Sequence, residues 1–212
     1  MDTRLGFLGG TFDPVHVGHR VVAQDIVEKL DLDRLLVVPA GRPPHREAVF
    51  AAADRLAWTR AAFEGDDRVE VSDLELRRSG PSYTVDTVER VLAERAPGRL
   101  FCVIGVDQLE EIGSWRAPDR IAGLSTLTVM SRAGEDPEAL RGEVEVPFET
   151  VGVTRIDLSS RRIRRRLSDG RGVRYLVPEG VRREVEATAR DAFAPGGGGP
   201  RAPGNDPERR GY

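Results

Sequence analysis

Two of the three histidines in this 212-residue chain, His16 and His19, stand three positions apart with Gly18 between them. They close the segment Gly9-Gly10-Thr11-Phe12-Asp13-Pro14-Val15-His16-Val17-Gly18-His19. A glycine pair lets the backbone approach a ligand closely and turn its N–H groups toward phosphate oxygens. The start of a helix attracts anions, and two imidazoles placed there add donors that can follow charge as it develops. The chemistry open to such a segment is phosphoryl chemistry. Other readings exist. Two histidines three apart can also bind a metal or simply cap a helix. No third convergent ligand suggests itself, however, and the pair lacks the glutamate of a zinc-protease helix.

These residues need elements to hold them. Arg4 to Leu8 is a short apolar run that enters the Gly9-Gly10 turn, which predicts a buried strand ending at the turn. His19 to Leu30 carries Val22, Ile26, Val27 and Leu30 at helical spacing. Leu35 to Val38 reads as a second buried strand, stopped by Pro39. Ala53 to Phe63 reads as a helix whose face gathers Leu56, Ala57, Arg60 and Phe63, with Trp58 as a packing residue. Val69 to Leu76 alternates in part and predicts a strand with one exposed face. Val85 to Leu92 reads as a helix capped by Thr84, and Leu100 to Val106 and Leu127 to Met130 read as further buried strands. The last helix is expected over Glu179 to Ala189.

Strands and helices alternate, and several strands are apolar throughout. That combination predicts an α/β fold of the Rossmann-like, doubly wound type, with a mainly parallel sheet and helices on both faces. In such folds ligands bind beyond the carboxyl ends of the strands, near the point where strand order reverses. Residues 1–192 are expected to form this domain. Residues 193–212, opening with Ala194-Pro195-Gly196-Gly197-Gly198-Gly199-Pro200, read as a disordered Gly/Pro-rich tail.

Composition removes several function classes. Hydrophobic residues make up 39% and charged residues 32%, an ordinary globular balance. No apolar run is long enough to span a bilayer, and no secretory signal is read, so a cytoplasmic protein is expected. Cys102 is the only cysteine, which excludes an intramolecular disulfide and a cysteine-rich metal site. It lies in the apolar run Leu100 to Ile104 and reads as a small buried hydrophobe. A net charge of −3 speaks against a nucleic-acid binder. Lys29 is the only lysine, so any phosphate must be held mainly by arginine forks.

The segment from Gly9 to His19 resembles the signature of the nucleotidylyltransferase superfamily. In the form with Phe12, Asp13 and Pro14 it is most similar to that of bacterial nicotinate-nucleotide adenylyltransferases. Further segments resemble that family in matching order, roughly from Leu5 to Glu186. Ala40-Gly41-Arg42-Pro43-Pro44-His45 resembles its substrate-phosphate loop, with Arg46 where lysine is usual. Gly80-Pro81-Ser82-Tyr83-Thr84-Val85-Asp86-Thr87 resembles the stretch that positions the nicotinate ring and its carboxylate. Taken alone, that stretch is only a turn and a helix cap. Trp115 matches a tryptophan that stacks on the pyridine ring, followed here by Arg116 where tyrosine is frequent. Gly105 and Asp107, and then Ser131-Arg132, resemble adenosine-side elements. Leu158-Ser159-Ser160-Arg161-Arg162-Ile163-Arg164 resembles an Ile-Ser-Ser-Thr-x-Ile-Arg motif, with Arg161 in place of threonine. Arg162, Arg165 and Arg166 also read as a solvated helix face, with Ile163 and Leu167 inward.

The resemblance implies transfer of AMP from ATP to nicotinate mononucleotide, giving deamido-NAD and pyrophosphate. His16, His19 and Arg164 would act at the transferring phosphates. Gly9, Gly10, Thr11, Phe12, Gly18, Gly105, Asp107, Arg132, Ser159 and Ser160 would bind ATP. His45, Arg46, Tyr83, Thr84 and Trp115 would bind the acceptor. Mg²⁺ would arrive with ATP, since the sequence shows no dedicated carboxylate cage. Alternatives are an adenylyltransferase for nicotinamide mononucleotide or phosphopantetheine, a cytidylyl substrate, or a catalytically idle nucleotide- or RNA-binding relative. A homo-oligomer is left open.

Overall fold

The computed structural model describes residues 3–44 and 47–194. His45, Arg46 and residues 195–212 of the expected tail lie outside the described residues; Phe193, read as the start of that tail, packs on the core beside Phe50.

Six strands make one sheet: β1 (Arg4–Gly10), β2 (Arg34–Pro39), β3 (Val69–Val71), β4 (Arg99–Gly105), β5 (Thr126–Ser131) and β6 (Glu149–Gly152). Their order is β3-β2-β1-β4-β5-β6, and every pairing is parallel. Phe7 of β1 lies opposite Leu36 of β2 and Cys102 of β4. Period-two alternation sends Leu8, Leu35, Val37, Phe101 and Val103 to one face and Phe7, Leu36, Val38, Cys102 and Ile104 to the other. Both faces are covered, so the central strands must be apolar at every position.

The first face is covered by α1 (Val17–Lys29), α2 (Ala52–Ala62), α6 (Ser160–Ser168) and α7 (Glu179–Ala192), through residues such as Ile26, Trp58, Ile163 and Val185. The second is covered by α3 (Thr84–Arg95), α4 (Val106–Glu110) and α5 (Pro118–Leu124), through Val88, Leu109 and Ile121. The chain runs outward from β1 to β3, then returns to β4 beside β1. The carboxyl ends of β1 and β4 therefore flank the reversal point where an open α/β sheet leaves a crevice. Among the described residues, no helix is long and apolar enough to cross a membrane.

Several readings are corrected. The strand expected over Val69 to Leu76 pairs only from Val69 to Val71. Beyond it the backbone turns, with Leu76 and Arg77 donating to the Asp73 carbonyl. This turn buries Glu75, which a continued edge strand would carry away from the crevice. Thr84 is the first residue of α3, not its cap; Tyr83 holds that position without a side-chain cap bond. On α2, Ala57 and Arg60 are exposed, and the buried face is Arg55, Leu56, Trp58, Thr59 and Ala62. Trp58 packs edge-on against Phe50 at 5.1 Å between ring centroids, as a core residue should. Cys102 is fully buried and its thiol is pushed up to about 12 by burial alone.

Candidate active site

His16 and His19 stack, with ring centroids 3.7 Å apart and planes 21° from parallel. His16 is the N-cap position of α1. Its backbone N–H donates to His19 Nδ1 at 3.1 Å, while the His19 backbone N–H donates back to the His16 carbonyl at 3.0 Å. Because His19 Nδ1 is an acceptor, the neutral ring carries its proton on Nε2, which becomes a donor. Phe12 braces His19 edge-on at 4.9 Å, and it does so from a left-handed backbone, φ 49°. Gly18 makes the stack fit: a Cβ there would lie 3.0 Å from His16 Nδ1. That Nδ1 is buried with no hydrogen-bond partner among the described residues.

Both rings are held neutral. Burial pushes His16 down to about 4, with help from the nearby Arg132 guanidinium. His19 is lowered well below the ordinary histidine value by burial, then by His16 and Arg132. Beside these two neutral imidazoles and the arginine, a bound anion would make proton uptake by the rings easier.

The start of α6 is fastened to the same loop. Ser160 Oγ donates to the Pro14 carbonyl at 2.9 Å, and Arg164 donates to the Asp13 carbonyl and faces the Asp13 carboxylate at 3.3 Å. Ser159 caps α6, its Oγ accepting from the Arg162 N–H at 3.2 Å. A serine has one hydroxyl proton, and Ser160 spends it on Pro14. The Ser159 hydroxyl proton and the N–H groups of Ser160 and Arg161, which have no intrahelical carbonyl to meet, are the donors this turn would offer an anion.

A cavity of about 390 Å³ opens at the β1–β4 reversal point. Gly9, Gly10, Thr11 and Asp107, read as ATP residues, line it together with Tyr83, Thr84 and Trp115, read as acceptor residues. Two substrates using these groups would meet there. Trp115 follows a three-residue turn of 3₁₀ helix, Ile112–Ser114. Gly105 caps α4, and its N–H donates to Gln108 Oε1 at 3.0 Å.

With this geometry in view, the relatives are informative. Residues 7–166 match the Cytidylyltransferase-like family model. A probable nicotinate-nucleotide adenylyltransferase of Rubrobacter xylanophilus is 40% identical over 189 residues, covering 84% of this chain and 87% of the relative. Another, of Thermus thermophilus, is 40% identical over 183 residues, covering 86% of this chain and 96% of the relative. This chain belongs to the nicotinate-nucleotide adenylyltransferase family. A structure of the Plasmodium falciparum nicotinic acid mononucleotide adenylyltransferase complexed with NaAD shares its fold, with a TM-score of 0.71 at 15% identity over 89% of this chain and 96% of that chain.

In this nicotinate-nucleotide adenylyltransferase family member, sequence reading missed the residues that hold the loops together. Arg55 is buried, and its guanidinium donates to the Thr11 carbonyl at 2.7 Å, Phe50 at 3.1 Å and Gly41 at 3.2 Å. It thereby ties the β1–α1 loop to the loop after β2. Burial lowers its pKa, opposed by the charges of Asp13 and Glu75. The Asp13 carboxylate accepts from the Val49 and Phe50 N–H groups at 2.9 and 3.0 Å. Glu75, also buried, accepts from Thr87 Oγ1 at 2.7 Å, and burial raises its pKa. Gly41 passes so close to it that a Cβ would lie 2.6 Å from the Glu75 carbonyl. The signal for Arg55 was present: it shares the apolar helix face with Trp58, Thr59 and Ala62.

Proposed function

We propose that this chain transfers AMP from MgATP to nicotinate mononucleotide, forming deamido-NAD and pyrophosphate. The observation that carries the proposal is the neutral, stacked His16–His19 pair at the head of α1, beside Arg132 and the start of α6. The names of its relatives supply the acceptor; the cavity lined by Tyr83 and Trp115 supports it, since aromatic faces suit a planar ring.

In this reaction an acceptor phosphate oxygen attacks the α-phosphorus of ATP. A P–O bond forms there, the bond to the β-phosphate oxygen breaks, and pyrophosphate leaves with that oxygen. The acceptor phosphate is largely dianionic near neutral pH, so it needs no strong general base. Catalysis is positioning plus charge stabilisation. The His19 Nε2–H and the His16 ring face the phosphates, and Arg132 and the α6 start add positive potential. Arg164 is anchored on Asp13 and positions the loop that carries both histidines. Mg²⁺ enters as part of MgATP. Among the described residues, no group of three or more histidine, cysteine, aspartate or glutamate side chains is placed to hold a metal. The buried carboxylate on the phosphate loop, Asp13, is already occupied by two N–H groups and Arg164.

The test is pyrophosphate release with MgATP and each of three acceptors: nicotinate mononucleotide, nicotinamide mononucleotide and phosphopantetheine. The proposal expects strong preference for the first. Preference for another acceptor would keep the phosphate chemistry and discard the ring assignment. No turnover with any of them would overturn the proposal.

A further inference from the structure

We propose that the Arg116 guanidinium selects an acceptor whose ring bears a carboxylate over one bearing the neutral amide. The inference rests on the acceptor reading above and assigns its specificity to one side chain.

Among the described residues lining the cavity, Arg116 is the only cation, whereas Glu75, Asp107 and Glu111 bring three carboxylates. A carboxylate on the bound ring would therefore enter a wall dominated by its own sign of charge, with Arg116 as the exception. Arg116 shares its rim with Tyr83, Thr84 and Trp115. The first two open the 12-residue helix α3, whose N-terminal N–H groups have no side-chain cap. A cation and an uncapped helix start on one rim suit a small planar anion, which a guanidinium can grip with two parallel N–H bonds.

Arg116 is also available. Its side chain is 58% exposed and contacts Asp86 at 3.4 Å. Asp86 has a second and closer cation, Arg78, at 3.1 Å. If Arg116 leaves, Asp86 remains paired. An exposed ion pair contributes little to stability, so the exchange costs little. The guanidinium rests over the Tyr83 ring, 5.2 Å from its centre. Tyr83 itself lines the cavity, so the side chain starts on the wall that an acceptor ring would meet.

An amide on the ring offers neither a charge nor two equivalent acceptor oxygens. Arg116 gains less from it, and the difference is read as selectivity.

The experiment uses the full chain with saturating MgATP and compares nicotinate with nicotinamide mononucleotide in wild type, Arg116→Ala and Arg116→Lys. In Arg116→Ala the acid-over-amide preference in kcat/KM falls about tenfold, carried by KM for the acid. Arg116→Lys restores part of it, because a point charge remains but the fork does not. Raising the salt concentration erodes the preference in wild type more than in Arg116→Ala. An unchanged preference in Arg116→Ala would overturn the proposal, as would an equal loss on both acceptors, which would mark Arg116 as packing. Wild type that forms product with neither pyridine acceptor would instead overturn the acceptor reading itself.

Discussion

At the head of α1, His16, Asp13 and Gly18 are buried, and Asp13 meets two N–H donors and an arginine. On the cavity rim, Arg116 is exposed and is held by one longer ion pair on a shared carboxylate. The first region is preorganised: its polar groups are fixed by their own hydrogen bonds, so in the proposed reaction little reorganisation would be left for the transition state. The second is adjustable. On the proposed function, the step common to every acceptor, attack at phosphorus, is built into the core, while the choice of acceptor sits on a rim where a substitution costs little stability. Each prediction below probes one side of that contrast.

The largest effect is expected from His19→Ala. This removes a fixed Nε2–H donor and the acceptor that orients the His16 backbone. Turnover should fall by about 10²–10³, as for one lost transition-state donor, with a far smaller change in the Kd of the acceptor. Near-normal turnover would place the phosphate chemistry elsewhere. Next comes Arg55→Met, which keeps bulk but removes the guanidinium that bonds the carbonyls of Thr11, Gly41 and Phe50 and a buried positive charge near Asp13 and Glu75. Stability should fall by about 3–5 kcal/mol, read as a shift in the urea midpoint. A midpoint shift below about 1 kcal/mol would show that the loops do not depend on this arginine. The same measurement on Arg116→Ala should move the midpoint by less than about 1 kcal/mol, which sharpens the contrast between fixed and adjustable ends.

Much of this organisation is legible in the sequence where one local pattern carries it. The runs Leu5 to Leu8 and Leu100 to Ile104 are apolar throughout because each strand is buried on both faces, and the positions of His16, Gly18 and His19 follow from a strand–turn–helix reading. What was not legible depends on long-range partners. Glu75 reads as one position of an alternating strand, yet its burial is set by Thr87 and Gly41 from other segments. The edge strand β6, Glu149–Gly152, is short and has a single buried residue, Val151, so it carries almost no periodic signal. Ser160 reads as a phosphate ligand, and the bond its hydroxyl donates to Pro14, 146 positions earlier, has no trace in the local spacing.

The smallest effect expected is on pH dependence, and its sign follows from which state binds more protons. His16 is held at about 4 in the fold, against an unfolded value near 6.5. Between those values the unfolded chain carries a proton there that the folded chain does not, so stability rises with pH across the window. It is complete above about pH 6.5 and is lost as pH falls toward about 4; His19 adds in the same direction. One such group contributes a slope of at most about 1.4 kcal/mol per pH unit. Glu75 acts oppositely: its raised pKa makes the folded state bind the extra proton above 4.5, so its contribution falls as pH rises. The wild-type curve alone therefore mixes the two, and the informative quantity is the difference from His16→Asn, which keeps a capping side chain at the head of α1. Unfolding free energies measured from pH 6.5 to 4.5 should fall more steeply in wild type than in the variant. Parallel curves would show that His16 is not held neutral by burial, and the contrast between a preorganised head of α1 and an adjustable rim would lose its electrostatic basis.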